Sequence, residues 1–242
     1  MTRNMVRPFL VAMMPVKNEA QRYLKTVLAH LSEYVDQIVI LDDASTDETP
    51  IICRAFSKVV RFRQLQESLF WKDEATLRKI LWEMTVDLEP TWILALDADE
   101  IFESGIKADL PSITKQNSYF LVRFPVYHFW GDFHHYRVDG WWKPCSSQIA
   151  CLFHYQKNSN YHWPDRKLHC GRFPVEACQL PATISKIRLL HLGYACKTEH
   201  HTKYERYLTA DPEGRYCPLT HYHSIISGPV RLKKWTGEPL TI

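Results

Sequence analysis

Apolar runs and helical stripes alternate along the first hundred residues. Pro8-Phe9-Leu10-Val11-Ala12-Met13-Met14 is unbroken apolar chain up to Pro15, as a strand buried on both faces requires. Residues 20–33 place Leu24, Val27, Leu28 and Leu31 on one side at helical spacing, and Val35 with Ile38-Val39-Ile40-Leu41 returns to strand character. Asp42-Asp43-Ala44-Ser45-Thr46-Asp47-Glu48-Thr49 is then a turn running into a helix start: Ser45, Thr46 or Asp47 can cap free N–H groups, and Pro50 is tolerated in a first turn. A short helix through Ile51, Ile52, Ala55 and Phe56 leads to a strand at Val59-Val60-Arg61-Phe62. Residues 73–86 carry Leu77, Ile80, Leu81 and Met84 on one helical face, and the apolar strand Trp92-Ile93-Leu94-Ala95-Leu96 ends abruptly in Asp97-Ala98-Asp99-Glu100. Four strands separated by helices predict right-handed crossovers and a mostly parallel central sheet in a three-layer α/β sandwich. Ligands of such sheets bind beyond the carboxyl ends of the strands, where both acidic clusters fall.

After Glu100 the rhythm weakens. Tyr119-Phe120-Leu121-Val122-Arg123-Phe124 and Ile149-Ala150-Cys151-Leu152-Phe153 have strand character, with a polar and aromatic stretch between them. Residues 125–176 hold Trp130, Trp141, Trp142 and Trp163 among tyrosines and histidines, a composition that suits either a platform for sugar rings or an irregular aromatic core. An apolar segment from Ile184 to Leu190 ends at His191, followed by a charged helix near Thr198 to Leu208 and a basic stretch with Arg231, Lys233 and Lys234. The pattern fits one domain over 1–242, with a nucleotide-binding half at 1–100 and an irregular acceptor half with C-terminal helices at 101–242.

Composition narrows the partners. Thirty basic against 27 acidic side chains give a net charge of only +3, dispersed along the chain, so no polyanion-gripping tail exists and nucleic acid is not an expected partner. The seven cysteines, at 53, 145, 151, 170, 178, 196 and 217, lack both zinc-ribbon spacing and an even disulfide count, which points to a reducing, cytoplasmic setting. Arg3 and Arg7 precede an apolar run, but Pro15, Lys17 and Glu19 interrupt it short of signal-peptide or membrane-spanning character.

Asp97 and Asp99 stand two residues apart just after a strand, where a turn can aim both carboxylates at one cation. Mg²⁺ or Mn²⁺ prefers such oxygen ligands and completes its shell with diphosphate oxygens and water. The same quartet also fits a solvated turn capping the next helix, and Glu100 fits either a supporting or a solvent-facing role. Asp43, with Asp42 beside it, can accept hydrogen bonds from a nucleobase or ribose, or cap the helix that follows. Lys17, in Pro15-Val16-Lys17-Asn18-Glu19, is either a cation beside a nucleotide or a surface charge.

At these residues the chain resembles the family 2 glycosyltransferases, inverting enzymes with the GT-A nucleotide-diphospho-sugar transferase fold. The matching segments are Pro15-Val16-Lys17-Asn18-Glu19, the stretch from Val39 to Thr49, and Trp92 to Glu100, in family order over the first hundred residues. The resemblance implies that Pro15 and Val16 lie against the base, Asp43 binds it, Asp97 meets the ribose or diphosphate, and Asp99 ligates the metal. Glu19 matches the first motif, and Arg78 corresponds to a basic residue near the nucleotide, against the alternative of a surface ion pair. His191-Leu192-Gly193-Tyr194 and Lys203-Tyr204-Glu205-Arg206-Tyr207 resemble one branch of these enzymes. There His191 reaches the metal or diphosphate, or is structural, and Lys203 and Arg206 neutralise diphosphate, or decorate a helix.

The implied function is metal-dependent inverting transfer from a nucleotide-diphospho-sugar, UDP-linked, to a hydroxyl acceptor. A sugar-phosphate nucleotidyltransferase and a noncatalytic carbohydrate-binding protein are the alternatives; the first is weakened by the lack of a glycine-rich phosphate loop. An inverting enzyme needs an Asp or Glu to deprotonate the acceptor hydroxyl. Where one branch has Glu after a His, this chain reads Leu168-His169-Cys170, so the base is open among Asp165, Asp139 and Glu176. Asp165 leads because Tyr161, Trp163 and Arg166 flank it, although Asp165 and Arg166 also suit an ordinary ion pair. His128, His134, His135, His154, His162 and His169 are numerous but have no spacing that specifies a zinc site.

Overall fold

The computed structural model describes residues 8–116, 118–144, 146–238 and 240; Arg3, Arg7 and Cys145 lie outside the described residues. Strands β1 (Leu10–Val16), β2 (Gln37–Asp42), β3 (Val59–Gln64) and β4 (Trp92–Ala95) pair in parallel in the spatial order β3-β2-β1-β4. Between them run α1 (Leu24–Leu31), α2 (Thr49–Arg54) and α3 (Phe70–Val86). Pairing β1 with both β2 and β4 reverses the direction in which strands are added, and this reversal opens a crevice above the carboxyl end of β1.

Alternation along each strand separates two cores. Leu10, Ala12 and Met14 of β1 and Ile38 and Ile40 of β2 pack with Leu24, Val27, Leu28 and Leu31 of α1. Their neighbours Val11, Met13, Val39 and Leu41 face Leu77, Leu81 and Trp82 of α3. Strands buried on both faces read as continuous apolar runs for this reason. The result is the expected three-layer arrangement. β1 does not stop at Pro15 but continues to Val16, whose carbonyl accepts the Asp43 N–H at 2.8 Å. α3 is entered through one extra turn, with Asp73 non-helical (φ −164°, ψ 81°); its carboxylate then caps the remainder by accepting from Thr76 N at 3.1 Å.

The second half extends the sheet with mixed pairing. It contributes β5 (Glu100–Phe102), α4 (Ile106–Lys115), β6 (Leu121–Trp130), β7 (His135–Arg137), β8 (Gln148–His154), α5 (Val175–Gln179), β9 (Ala182–Ile184), β10 (Leu189–Tyr194), α6 (Thr198–Ala210), α7 (Leu219–His223) and β11 (Leu232–Lys234). β8 lies antiparallel between β4 and β6; β9 and β10 pair in parallel with β6, and β11 pairs with β7. The apolar segment expected at 184–190 is two strands, because Ser185 turns the chain, its hydroxyl accepting from Ile187 N at 3.1 Å. β10 then passes through His191 and pairs antiparallel with β5, setting His191 opposite Glu100. Among the described residues no helix is long and apolar enough to cross a membrane.

Candidate active site

A cavity of about 500 Å³ opens above the carboxyl ends of β1, β2 and β4. Pro15, Val16, Lys17 and Glu19 line it from the β1–α1 loop, Asp43 from the end of β2, and Asp97 and Asp99 from the end of β4. Asp43 and Asp99 thus meet at one crevice, joined there by His191 of β10 and by Lys203, Arg206 and Tyr207 of α6.

Two left-handed residues bring the first two loops together. Asn18 (φ 51°) and Ala44 (φ 61°) turn the chain sharply, Asn18 N donates to Ser45 Oγ at 2.9 Å, and Thr46 N returns a bond to Asn18 Oδ1 at 2.8 Å. Asp42 caps its own turn, accepting from Ser45 N at 2.7 Å, whereas Asp43 caps a different helix from the one that follows it. Its carboxylate accepts from Ser68 Oγ at 2.5 Å and from Leu69 N and Phe70 N, at the start of α3, at 2.6 and 3.3 Å. Lys17 Nζ stands 3.8 Å away.

The acidic turn is a charge lattice. Asp97 sits between two guanidinium groups, Arg78 Nη1 at 3.0 Å from one oxygen and Arg172 Nη2 at 3.0 Å from the other. Burial raises its pKa, but Arg78 and Arg172 more than offset that and hold Asp97 below the ordinary carboxylate range. Arg78 itself is buried behind Asp97, bound also to Glu74 at 3.2 Å; it neither lines the cavity nor forms a surface pair. Glu100 is buried rather than solvent-facing: Arg172 Nη2 lies 2.6 Å from Oε1, and Oε2 accepts from Asp97 N at 3.1 Å. Burial pushes its pKa up to about 7.

Asp99 faces a different set of cations. Lys203 Nζ lies 3.2 Å and Arg22 Nη2 3.9 Å from Oδ2, and His191 Nε2 lies 3.7 Å from Oδ1. Despite burial, these groups, Lys203 foremost, hold Asp99 well below the carboxylate range. Burial outweighs Asp99 at His191 and lowers its pKa to about 4, leaving a neutral imidazole near pH 7. Gly193 leaves room for a close approach, since a β-carbon there would meet Lys203 Nζ and Asp99 Oδ2 and force these side chains to move. Arg22 is pinned by Glu199 of α6, at 2.9 and 2.6 Å, and by Glu19 at 2.6 Å.

Comparison with known proteins follows the same residues. Residues 11–156 match the family described as Glycosyl transferase family 2. The chain belongs to this family. The uncharacterized protein Rv3786c of Mycobacterium tuberculosis (strain ATCC 25618 / H37Rv) is 29% identical to it over 218 residues, covering 82% of this chain and 50% of that protein. The uncharacterized protein Mb3815c of Mycobacterium bovis (strain ATCC BAA-935 / AF2122/97) matches to the same extent, so the chain spans about half the length of these curated relatives. Among solved structures, residues 1–349 of TarS from S. aureus in complex with UDP-GlcNAc superpose with a TM-score of 0.57 at 14% identity, covering 90% of this chain and 70% of that one. The likeness to TarS shows a shared GT-A fold.

In the second half of the chain, the candidate bases are not at the cavity. Asp139 is engaged by Arg137, at 3.0 Å from Nε and 2.8 Å from Nη2, and accepts from Arg231 N at 2.6 Å. Asp165 is exposed, and its neighbour Arg166 turns instead to the carbonyls of Leu168 and Tyr216. Glu176 holds exposed His162 at 2.7 Å. None of the three lines the cavity. Tyr161 packs against Trp82, Trp163 joins the same core cluster, and Trp130 and Trp142 are buried in a third cluster, so they are core rather than sugar platform. The aromatic side chains that line the cavity are Phe70, Trp71 and Tyr207. Among the described residues no group of three or more His, Cys, Asp or Glu converges as a complete metal cage, and the histidines of residues 128–169 build no zinc site.

Proposed function

We propose that this transferase moves a sugar from a uridine-diphosphate sugar to a hydroxyl acceptor, with inversion at the anomeric carbon and the help of Mn²⁺ or Mg²⁺. The observation that carries the proposal is the meeting of Asp43, Asp97, Asp99 and His191 around one cavity over the strand ends. Residues 1–100 provide the nucleotide half, and 101–242 provide the acceptor half together with His191, Lys203 and Arg206. In this reading Pro15, Val16 and Asp43 take the base, and Asp97, held by two arginines, meets the ribose or diphosphate. The complex of TarS with UDP-GlcNAc, on the same fold, supports a uridine-linked donor.

The donor set fits a divalent ion. Asp99 Oδ1 and His191 Nε2, 3.7 Å apart, pair a hard carboxylate oxygen with a neutral imidazole nitrogen, a combination that suits Mn²⁺. Asp97 lines the same cavity, but both of its oxygens are engaged by arginines, so Asp99 and His191 would hold the ion and Asp97 would support them. A bound ion supplies charge neutralisation on the departing nucleoside diphosphate. Lys17, Lys203 and Arg206 line the cavity and add positive charge for the phosphates.

Calorimetric titration of UDP with and without Mn²⁺, followed by a panel of nucleotide sugars, tests the proposal. Wild-type protein should bind UDP more tightly with Mn²⁺, and Asp99→Asn should lose that gain while still folding. Equal turnover by rigorously metal-free wild type and by the variant would remove the metal, and no binding of any nucleotide would remove the donor.

A further inference from the structure

We propose that Lys203 is a resident counter-ion that keeps divalent cations off Asp99 until a nucleoside diphosphate brings compensating charge. The inference rests on the metal-dependent transfer proposed above and adds the order in which its components bind.

Lys203 Nζ lies 3.2 Å from Asp99 Oδ2, on a side chain only 16% exposed, and 4.7 Å from the centre of the Tyr194 ring. The ring face attracts the ammonium from one side while the carboxylate holds it from the other. Gly193, between β10 residues Leu192 and Tyr194, leaves the space this contact occupies. Arg22 Nη2 adds a second positive charge 3.9 Å from the same oxygen and is itself fixed at both ends by Glu199 and Glu19. One carboxylate oxygen therefore already faces two cations, and the other points to a neutral imidazole. Glu199 and Glu19 already offset Arg22, whereas Lys203 pairs with Asp99, so a bare divalent ion entering beside His191 would compete with the Lys203 ammonium for the charge of that one carboxylate.

A diphosphate reverses that balance. Its oxygens supply the missing negative charge, and Lys203 offers them three donors on a flexible stem from the wall of the same cavity. Moving Lys203 from Asp99 Oδ2 to the diphosphate releases the carboxylate's charge to offset an ion held through Oδ1 and His191. Metal and nucleotide binding are then coupled, each strengthening the other by the same factor. Lys203 sets the size of that factor.

Mn²⁺ binding followed by electron paramagnetic resonance, with and without saturating UDP, tests this on wild type, Lys203→Met and Lys203→Gln. In wild type, UDP should tighten Mn²⁺ by about tenfold or more, within the range usual for coupled sites. Both variants should bind Mn²⁺ without nucleotide about tenfold more tightly than wild type, so that UDP tightens it by a smaller factor than in wild type. Thermal melting by circular dichroism confirms folding, and Lys203→Gln, which retains a polar head over Tyr194, carries the test if Lys203→Met fails to fold. If wild type binds Mn²⁺ with UDP but neither variant binds it more tightly alone, the counter-ion role is overturned and the metal proposal stands. If wild type with UDP takes up no Mn²⁺, both are overturned.

Discussion

Arg172 Nη2 lies 3.0 Å from Asp97 Oδ2, joining residues 75 positions apart in the chain. The same nitrogen is 2.6 Å from Glu100 Oε1, and Nη1 donates to Ala95 O at 3.2 Å. One guanidinium thus holds the end of β4, the acidic turn and the start of β5 in register. Breaking a buried pair by removing one partner costs about 3–5 kcal/mol, because the remaining charge stays buried without compensation. Arg172→Ala should therefore lose about 3–5 kcal/mol in urea unfolding, and Arg172→Lys, which keeps the charge but not the fork, should fall between. An unfolding midpoint for Arg172→Ala equal to wild type would show that the turn stands without this clamp.

Asp43 joins stability to donor binding. Its carboxylate accepts from Ser68 Oγ, Leu69 N and Phe70 N while lining the cavity, so it anchors the start of α3 in the absence of nucleotide. Asp43→Asn removes the charge and turns an amide N–H₂ towards donors. Loss of a helix cap costs about 0.5–2 kcal/mol, and we expect a stability loss of that order together with weaker UDP binding. Melting curves with and without UDP separate the two effects. A variant that loses stability yet keeps wild-type UDP affinity would confine Asp43 to capping.

The parallel core was legible because strands buried on both faces leave unbroken apolar runs, and α3 because Leu77, Ile80, Leu81 and Met84 repeat at helical spacing. Both acidic clusters follow such runs directly, which located the cavity as well. Arg172 gave no such signal. It lies in Gly171-Arg172-Phe173, a short irregular stretch, and its partners are 72 to 77 residues away, so only the folded chain brings them together. Arg22 and Glu199, 177 positions apart, were hidden for the same reason. Trp71 was missed because α3 begins one turn before Asp73, in a segment without helical periodicity. The attraction of Asp165 lay in its aromatic neighbours, but Tyr161 packs against Trp82 and Trp163 joins the same core cluster. Local composition does not distinguish an aromatic side chain that packs inward from one that meets a ligand.

Glu19 predicts a specific pH dependence of stability. Burial and nearby Asp99 raise its pKa from 4.5 to about 7, with Arg22 only partly opposing them. Between these two values the folded chain holds a proton that the unfolded chain has released, so this group's contribution falls as pH rises and levels off above about 7. Asp97 and Asp99, held below the ordinary range, act in the opposite sense and lose their contribution only under more acidic conditions. Glu100, also raised to about 7, contributes a decline of the same sign, so Glu19→Gln should make the fall in stability between pH 4.5 and 7 shallower without abolishing it and leave the acid limb unchanged. Urea midpoints measured across pH for both proteins check this, and parallel curves through that interval would refute the assignment to Glu19.

Asp139 should matter to folding and not to donor binding. Arg137 is 2% exposed, lies 4.4 Å from the Trp130 ring and donates to Ser224 O at 2.5 Å, so its charge depends on Asp139 for compensation. The same carboxylate accepts from Arg231 N, and Val138 N donates to Arg231 O at 2.9 Å, which tethers the chain leading into β11. Asp139→Ala removes both anchors and should cost about 3 kcal/mol, the lower end for a broken buried pair because Asp139 is 17% exposed. UDP affinity of the folded variant should match wild type, since Asp139 does not line the cavity. Asp139→Asn keeps an acceptor for Arg231 N and loses only the charge, so it should lie between wild type and Asp139→Ala in stability and retain sugar transfer. A folded Asp139→Asn protein that binds UDP normally but transfers no sugar would overturn the structural assignment and return Asp139 to the role of catalytic base.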